Sequence, residues 1–133
     1  MKLSIIVVSY NTKKLLESCL ESLPKGNSIE IIVVDNASTD GSAKLATIKN
    51  THNLGFAAAN NQGIKAAKGE YIWLLNSDTQ IKPGAVDQLI QFMDSHPRAG
   101  IASAQLLNPD GTIQGSGGYL PRLSNIMAWM LFI

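Results

Sequence analysis

Three short apolar runs constrain this chain more than any other feature. Leu3 to Val8 (LSIIVV), Ile29 to Val34 (IEIIVV) and Tyr71 to Leu75 (YIWLL) are rich in β-branched or aromatic side chains and lack a clean apolar/polar alternation. Runs of this kind suit strands covered on both faces, as in a parallel sheet. The intervening segments read as helices. Asn11 or Thr12 is placed to cap the first, whose apolar face is Leu15, Leu16, Cys19, Leu20 and Leu23, with Pro24 to Asn27 as its stop. Ser38 to Asp40 start a second, short helix through Ala46, and Phe56 to Ala67 form a third that ends at Gly69. Pro83-Gly84 opens a fourth with Val86, Leu89, Ile90 and Met93 on one face, closed by His96-Pro97. A short strand precedes the third helix. Gly100 to Leu107 reads as a further strand, and Thr112 to Gly115 pairs back beyond the turn Asn108-Pro-Asp-Gly111. This alternation predicts an α/β fold: a mostly parallel central sheet, helices on both faces and right-handed crossovers.

Charge and cysteine content exclude several functions. With 11 Lys+Arg against 10 Asp+Glu in 133 residues, the chain lacks the basic excess of a nucleic-acid binder. The lone Cys19 rules out an intramolecular disulfide framework and a cysteine zinc site, and it suits a reducing, cytoplasmic setting. No stretch reaches the ~18–20 apolar residues of a membrane span. The apolar run after Lys2 closes at Tyr10 to Lys14 without a signal-peptide cleavage site. From Ala99 to Ile133 only Asp110 and Arg122 are charged, and the chain stops inside the apolar run Ile126 to Ile133. A self-contained domain rarely ends that way, so the expected organisation is one compact portion over residues 1–118, then an apolar tail, 119–133, that begins a further portion outside this chain.

In an open parallel sheet, ligands bind beyond the carboxyl ends of the strands. Ser9, Tyr10 and Asn11 follow the first strand, and Asp35, Asn36 and Ala37 the second. His52 and Asn53 follow the short third strand, and Asn76, Ser77 and Asp78 the fourth. Each has a plainer reading. Asp35 can cap the next helix, Asp78 can serve a turn, Tyr10 can be a half-buried ring, and Asp40 is expected to cap a helix start. Trp73 and Cys19 are expected in the core. Asn60 and Asn61 are poor residues for a helix interior, which suggests contacts or a polar face. Gly55 and Gly63 permit close approach or unusual dihedrals. The first strand-to-helix turn has no glycines, so neither a dinucleotide fingerprint nor a Walker loop is present. A divalent ion held by one or two side chains is the substitute for binding a diphosphate.

Four segments, SIIVVSYN, EIIVVDNASTDGS, NLGFAAANNQGI and YIWLLNSDT, occur in this order from Leu3 onward. Together they resemble the N-terminal half of family 2 glycosyltransferases, which have the GT-A fold, over Leu3 to about Gly118. The NSDT form and the LGFAAANN segment look most like the rhamnosyltransferase-like branch. The resemblance implies transfer of a sugar from a UDP- or dTDP-linked nucleotide-diphosphate donor to a glycan or lipid-linked acceptor, inverting and dependent on Mg²⁺ or Mn²⁺. It places Tyr10 against the base and has Asp35 accept from a pyrimidine N–H. Asn53, Gly55 and Asn60 would help form the nucleotide pocket. Asn76-Ser77-Asp78 would stand at the family's DxD position, with Ser77 near the ribose and Asp78 on the metal. Asn76 replaces the first acid, so metal affinity would rest on Asp78 and the diphosphate. The family's general base lies downstream, and no residue of this chain is assigned that role; Asp110 sits in an expected turn. A nucleotide-sugar binding module without transfer activity is the alternative. Peripheral contact at the inner membrane face and self-association both stay open. A nucleotidyltransferase would need a glycine-rich basic loop after the first strand, and a phosphoacceptor receiver an acidic cluster there; this sequence has neither.

Overall fold

The computed structural model of the chain describes residues 1–115. The expected apolar tail, 119–133, lies outside them. Among the described residues there are four strands: β1 (Leu3–Ser9), β2 (Ile29–Asp35), β3 (Ile48–Lys49) and β4 (Tyr71–Asn76). They form one sheet in the order β3-β2-β1-β4, and every pairing is parallel. Three helices accompany them: α1 (Lys13–Ser22), α2 (Phe56–Ala66) and α3 (Ala85–Ser95). The chain divides into two compact units, Met1–Ile90 and Gln91–Ile133.

The sheet separates two apolar cores, so helices cover both faces as the alternation predicts. On one face Leu3, Ile5 and Val7 of β1 pack with Leu16 and Cys19 of α1, with Leu23, and with Val86 of α3. On the other, Ile6 and Val8 pack with Ile32 and Val34 of β2 and Ala59 of α2. Ile5, Ile6, Val7, Leu16 and Val34 are fully buried, each worth roughly 1.5–3 kcal/mol of transfer free energy. Ser4 is buried in the same strand without cost, because its hydroxyl donates to Glu30 and accepts from Gly69 N–H. Two glycines allow the layers to approach. A Cβ on Gly63 of α2 would come within 2.4 Å of Ile6 Cγ2, and one on Gly69 within 2.4 Å of the Ser4 backbone nitrogen.

Several local expectations change. Ser38 to Ala46 forms only a 3-10 turn, Ser42–Leu45, because Asp40 turns the chain by accepting from Ser42 N–H. Gly69 does not terminate α2, which ends at Ala66; it is the packing contact with Ser4 that excludes a side chain there. Neither Asn11 nor Thr12 caps α1 through its side chain. The cap comes from Asp40, whose Oδ2 accepts from Lys13 N–H at 2.8 Å. β4 is not covered on both faces among the described residues: Ile72 and Leu74 are 44% and 48% exposed. α2 lies over β1 and β2, whereas β4 is the last strand of the sheet. Gly100 to Leu107 is not a strand. The turn beyond it does form, and it leaves one antiparallel bridge, Leu107 to Ile113. Asp110 closes that turn by accepting from Thr112 N–H.

Candidate functional site

Strand register collects the polar chemistry. Ser9 stands beside Asp35, and Val8 stands beside Asn76, so the ends of β1, β2 and β4 lie level. β3 pairs only with Val34 and Asp35 and therefore delivers Asn50 to the same edge. The strand order reverses direction between β1 and β4, the position where such sheets open a crevice. A cleft of about 360 Å³ opens there. Tyr10, Thr12, Asn36, Asn53, Phe56 and Asp78 are among its lining residues.

Six of the expected site residues line this cleft: Tyr10, Asn53, Gly55, Asn76, Ser77 and Asp78. Asp35 and Asn60 do not. Asp35 is buried at the end of β2, one residue before the lining residue Asn36. Its Oδ2 accepts from Ser38 N–H at 2.9 Å, so the plainer turn-capping role is real for that oxygen. Its Oδ1 is buried with no hydrogen-bond partner. An orphaned carboxylate oxygen is costly and calls for an explanation. Asn60 is buried in α2 and donates from Nδ2 to the carbonyl of Phe56, which is a lining residue.

Two loops shape the cleft on the β1 side. Asn11 has a positive φ of 54° and Ala37 one of 69°. Asn11 N–H donates to Ser38 Oγ, and Asn11 Oδ1 accepts from Thr39 N–H at 2.8 Å. Hydrogen bonds from Ser42, then from Lys13, hold the Asp40 carboxyl below the usual carboxylate range. The loop carrying Tyr10 is thereby fastened to the loop after β2, while the Tyr10 ring stays 49% exposed. A hydroxyl chain joins the other side: Thr12 Oγ1 lies 3.0 Å from Ser9 Oγ and donates to Ser77 Oγ at 3.0 Å.

The wall opposite is made by residues 50–56. Asn36 is 2% exposed, and its Nδ2 donates to Asn53 Oδ1 at 2.6 Å. Its Oδ1 accepts from Asn50 Nδ2 at 3.1 Å and from Leu54 N–H at 3.0 Å. Asn53 Oδ1 also accepts from Gly55 N–H at 2.8 Å. Gly55, with φ of 83°, then opens α2 at the cleft.

Asn36, Thr12, Leu15 and Phe56 line the cleft but were not among the expected site residues. Leu15 was expected on the buried face of α1, yet it is 51% exposed. Helical spacing marks an apolar stripe but cannot tell a core contact from a cleft wall. Phe56, 59% exposed at the start of α2, carried no polar signal. Cys19, expected in the core, is there; burial and then the Asp78 charge push its thiol up to about 11.

Asp78 offers hard oxygen ligands in the cleft beside Asn76 and Ser77. No group of three His, Cys, Asp or Glu side chains able to hold a metal exists among the described residues. This donor set suits an ion of the Mg²⁺ kind, which keeps several waters and shares its shell with substrate phosphates.

The family model described as glycosyl transferase family 2 matches residues 4–124. The glycosyltransferase GlyG of Streptococcus pneumoniae is 38% identical over 102 residues, covering 67% of this chain and 34% of that protein. The N-acetylglucosaminyl-diphospho-decaprenol L-rhamnosyltransferase of Mycobacterium tuberculosis is 29% identical over 143 residues, covering 91% of this chain and 46% of that protein. Among solved structures, S. aureus TarS 1-349 in complex with UDP-GlcNAc matches with a TM-score of 0.65 at 28% identity, over 73% of this chain and 32% of that one. The chain spans less than half the length of these curated relatives.

Proposed function

The chain belongs to glycosyl transferase family 2 and has its GT-A fold, and from that premise we propose that the β1–β4 cleft binds a nucleotide-diphosphate sugar for transfer to a glycan or lipid-linked acceptor. One observation carries this reading: six residues scattered over Tyr10 to Asp78 line a single cleft at the carboxyl edge of the sheet. The donor is UDP- or dTDP-linked. S. aureus TarS was solved with UDP and with UDP-GlcNAc, which supports a uridine nucleotide. The lipid-linked substrate named for the mycobacterial relative supports the acceptor class. Such an acceptor would bring the protein to the inner membrane face from the cytoplasm. Among the described residues no helix is long and apolar enough to cross a membrane.

Each side chain has a task in this reading. The exposed Tyr10 ring lies against the base. Asp35 Oδ1, buried and unpartnered, accepts the pyrimidine ring N–H. Asn53 and Gly55 form the nucleotide wall, with Asn60 behind it holding the carbonyl of the lining residue Phe56, and Asn76 and Ser77 face the ribose. Asp78 holds Mg²⁺ or Mn²⁺. When bound, that ion would neutralise charge on the leaving diphosphate and hold it in place. The transfer inverts at the anomeric carbon and needs a carboxylate base for the acceptor hydroxyl. Asp110 is committed to its turn, where its Oδ1 accepts from both the N–H and the hydroxyl of Thr112. That observation favours a second reading for these 133 residues alone: donor binding without transfer.

Calorimetric titration with UDP and dTDP in the presence of Mg²⁺ tests the site. Asp35→Ala should weaken binding at least about tenfold, the cost of one hydrogen bond to a charged group. Wild-type affinity in that variant would overturn the assignment. Turnover of a donor panel by this chain would rule out the binding-only reading.

A further inference from the structure

We propose that Asn36 is a positioning residue for donor binding, holding residues 50–55 in the shape that makes the cleft wall. This rests on the reading of the cleft as the donor site. Three side-chain hydrogen bonds of Asn36 go to that segment: one to Asn53, two from Asn50 and Leu54. Both lone pairs of Oδ1 are used, so the oxygen has no capacity left for a ligand.

Two backbone donors set the direction of the whole network. Leu54 N–H needs an oxygen, which orients the Asn36 amide. Gly55 N–H needs an oxygen, which orients the Asn53 amide. Asn36 must therefore present NH₂ to Asn53, and no flip of either amide preserves all the bonds. The outer end is equally determined. Asn50 and Gln62 exchange reciprocal bonds of 2.9 Å, and the second N–H of Asn50 goes to Asn36. Gln62 lies within α2, so the end of β2 is coupled to that helix through the amides of Asn36 and Asn50. Asn36 N–H also donates to Ser9 carbonyl at 2.8 Å, which ties the same residue to β1.

The test is Asn36→Asp in the full chain. The side chain keeps its shape but places oxygen against Asn53 Oδ1. Nucleotide affinity for UDP and dTDP is read by calorimetry at 15 °C, and amide exchange by NMR or mass spectrometry. Binding should weaken about tenfold, with faster exchange confined to the Gly55 amide, because Asn53 must turn its NH₂ toward the new carboxylate while Leu54 keeps its acceptor. Exchange in β1 and β4 should stay as in the wild type, which a general loss of stability would not allow. Asn50→Ala, outside the cleft lining, breaks the network from its far end and should give a smaller loss with the same exchange pattern. It carries the test if Asn36→Asp does not fold. Wild-type affinity in the folded variant overturns the proposal, as does faster exchange spread over the sheet. If Asp35→Ala loses binding while the Asn36 variant keeps it, this inference alone fails. If the wild type binds neither nucleotide, the donor-site reading fails and takes this one with it.

Discussion

Thr12 Oγ1 donates to Ser77 Oγ at 3.0 Å, joining the start of α1 to the end of β4 across 65 positions of sequence. The same hydroxyl lies 3.0 Å from that of Ser9 at the end of β1. Thr12 therefore gives up the usual capping bond of α1, which Asp40 supplies from the neighbouring loop. Thr12→Val keeps the shape and removes the link. The free energy of urea unfolding should fall by about 1 kcal/mol, and nucleotide affinity should fall with it as Ser77 loses its orientation. Unchanged unfolding and unchanged affinity would show that the link carries neither.

Glycine substitutions should rank by what their new Cβ meets. Gly69→Ala meets the Ser4 backbone at 2.4 Å, which cannot rotate aside, and should cost most. Gly63→Ala meets the Ile6 side chain at the same distance. An exposed helix would gain ~1 kcal/mol from that change, yet overpacking should make it a net loss of about 1–3 kcal/mol. Gly26 has open space around it, so Gly26→Ala should stay within ~0.5 kcal/mol. Urea titrations measure all three, and a stabilised Gly63→Ala would contradict the close approach of α2 to β1.

Acid should weaken the fold partly through Glu30. The Ser4 hydroxyl and then the Lys68 N–H hold its carboxyl below the usual range. A carboxyl depressed in the folded state stabilises fully above its unfolded value, about pH 4.3. That contribution is lost as pH falls through the folded value. Urea midpoints measured from about pH 6 down to pH 3 should therefore decline less steeply for Glu30→Gln than for the wild type. Parallel curves would deny Glu30 any share.

Cys19 should resist thiol reagents while the chain is folded. It is fully buried, and burial followed by the Asp78 charge pushes its thiol up to about 11. At pH 8 almost no thiolate exists to react. Labelling with an aromatic disulfide should proceed only through unfolding and accelerate with urea in step with the unfolding curve. Native-state reaction at the rate of a free thiol would sink this expectation.

Much of the fold was legible in the sequence because burial writes itself into side-chain type. The runs beginning at Leu3, Ile29 and Tyr71 are strands, each one residue longer than its apolar stretch. The extra residues, Ser9, Asp35 and Asn76, are polar and continue the backbone ladder, which side-chain type does not report. Gly100 to Leu107 misled because apolar content alone does not supply a pairing partner. Leu15 misled because a cleft wall and a core contact share one helical stripe. Asn36 passed without assignment because its importance lies in partners at Asn50, Asn53 and Leu54, which no local pattern reveals.

By itself the sequence determined the strand and helix alternation, and with it which residues follow each strand. Four segments in order also pointed to the family. Tertiary structure alone decided how those ends meet. Parallel register sets Ser9 beside Asp35 and Val8 beside Asn76, and the order β3-β2-β1-β4 opens the cleft between β1 and β4. Only burial in the folded chain leaves Asp35 with one oxygen paired and one orphaned. The physical reason is common to all three. Hydrogen-bond partnership and desolvation depend on groups far apart in sequence, whereas propensity and periodicity depend on neighbours.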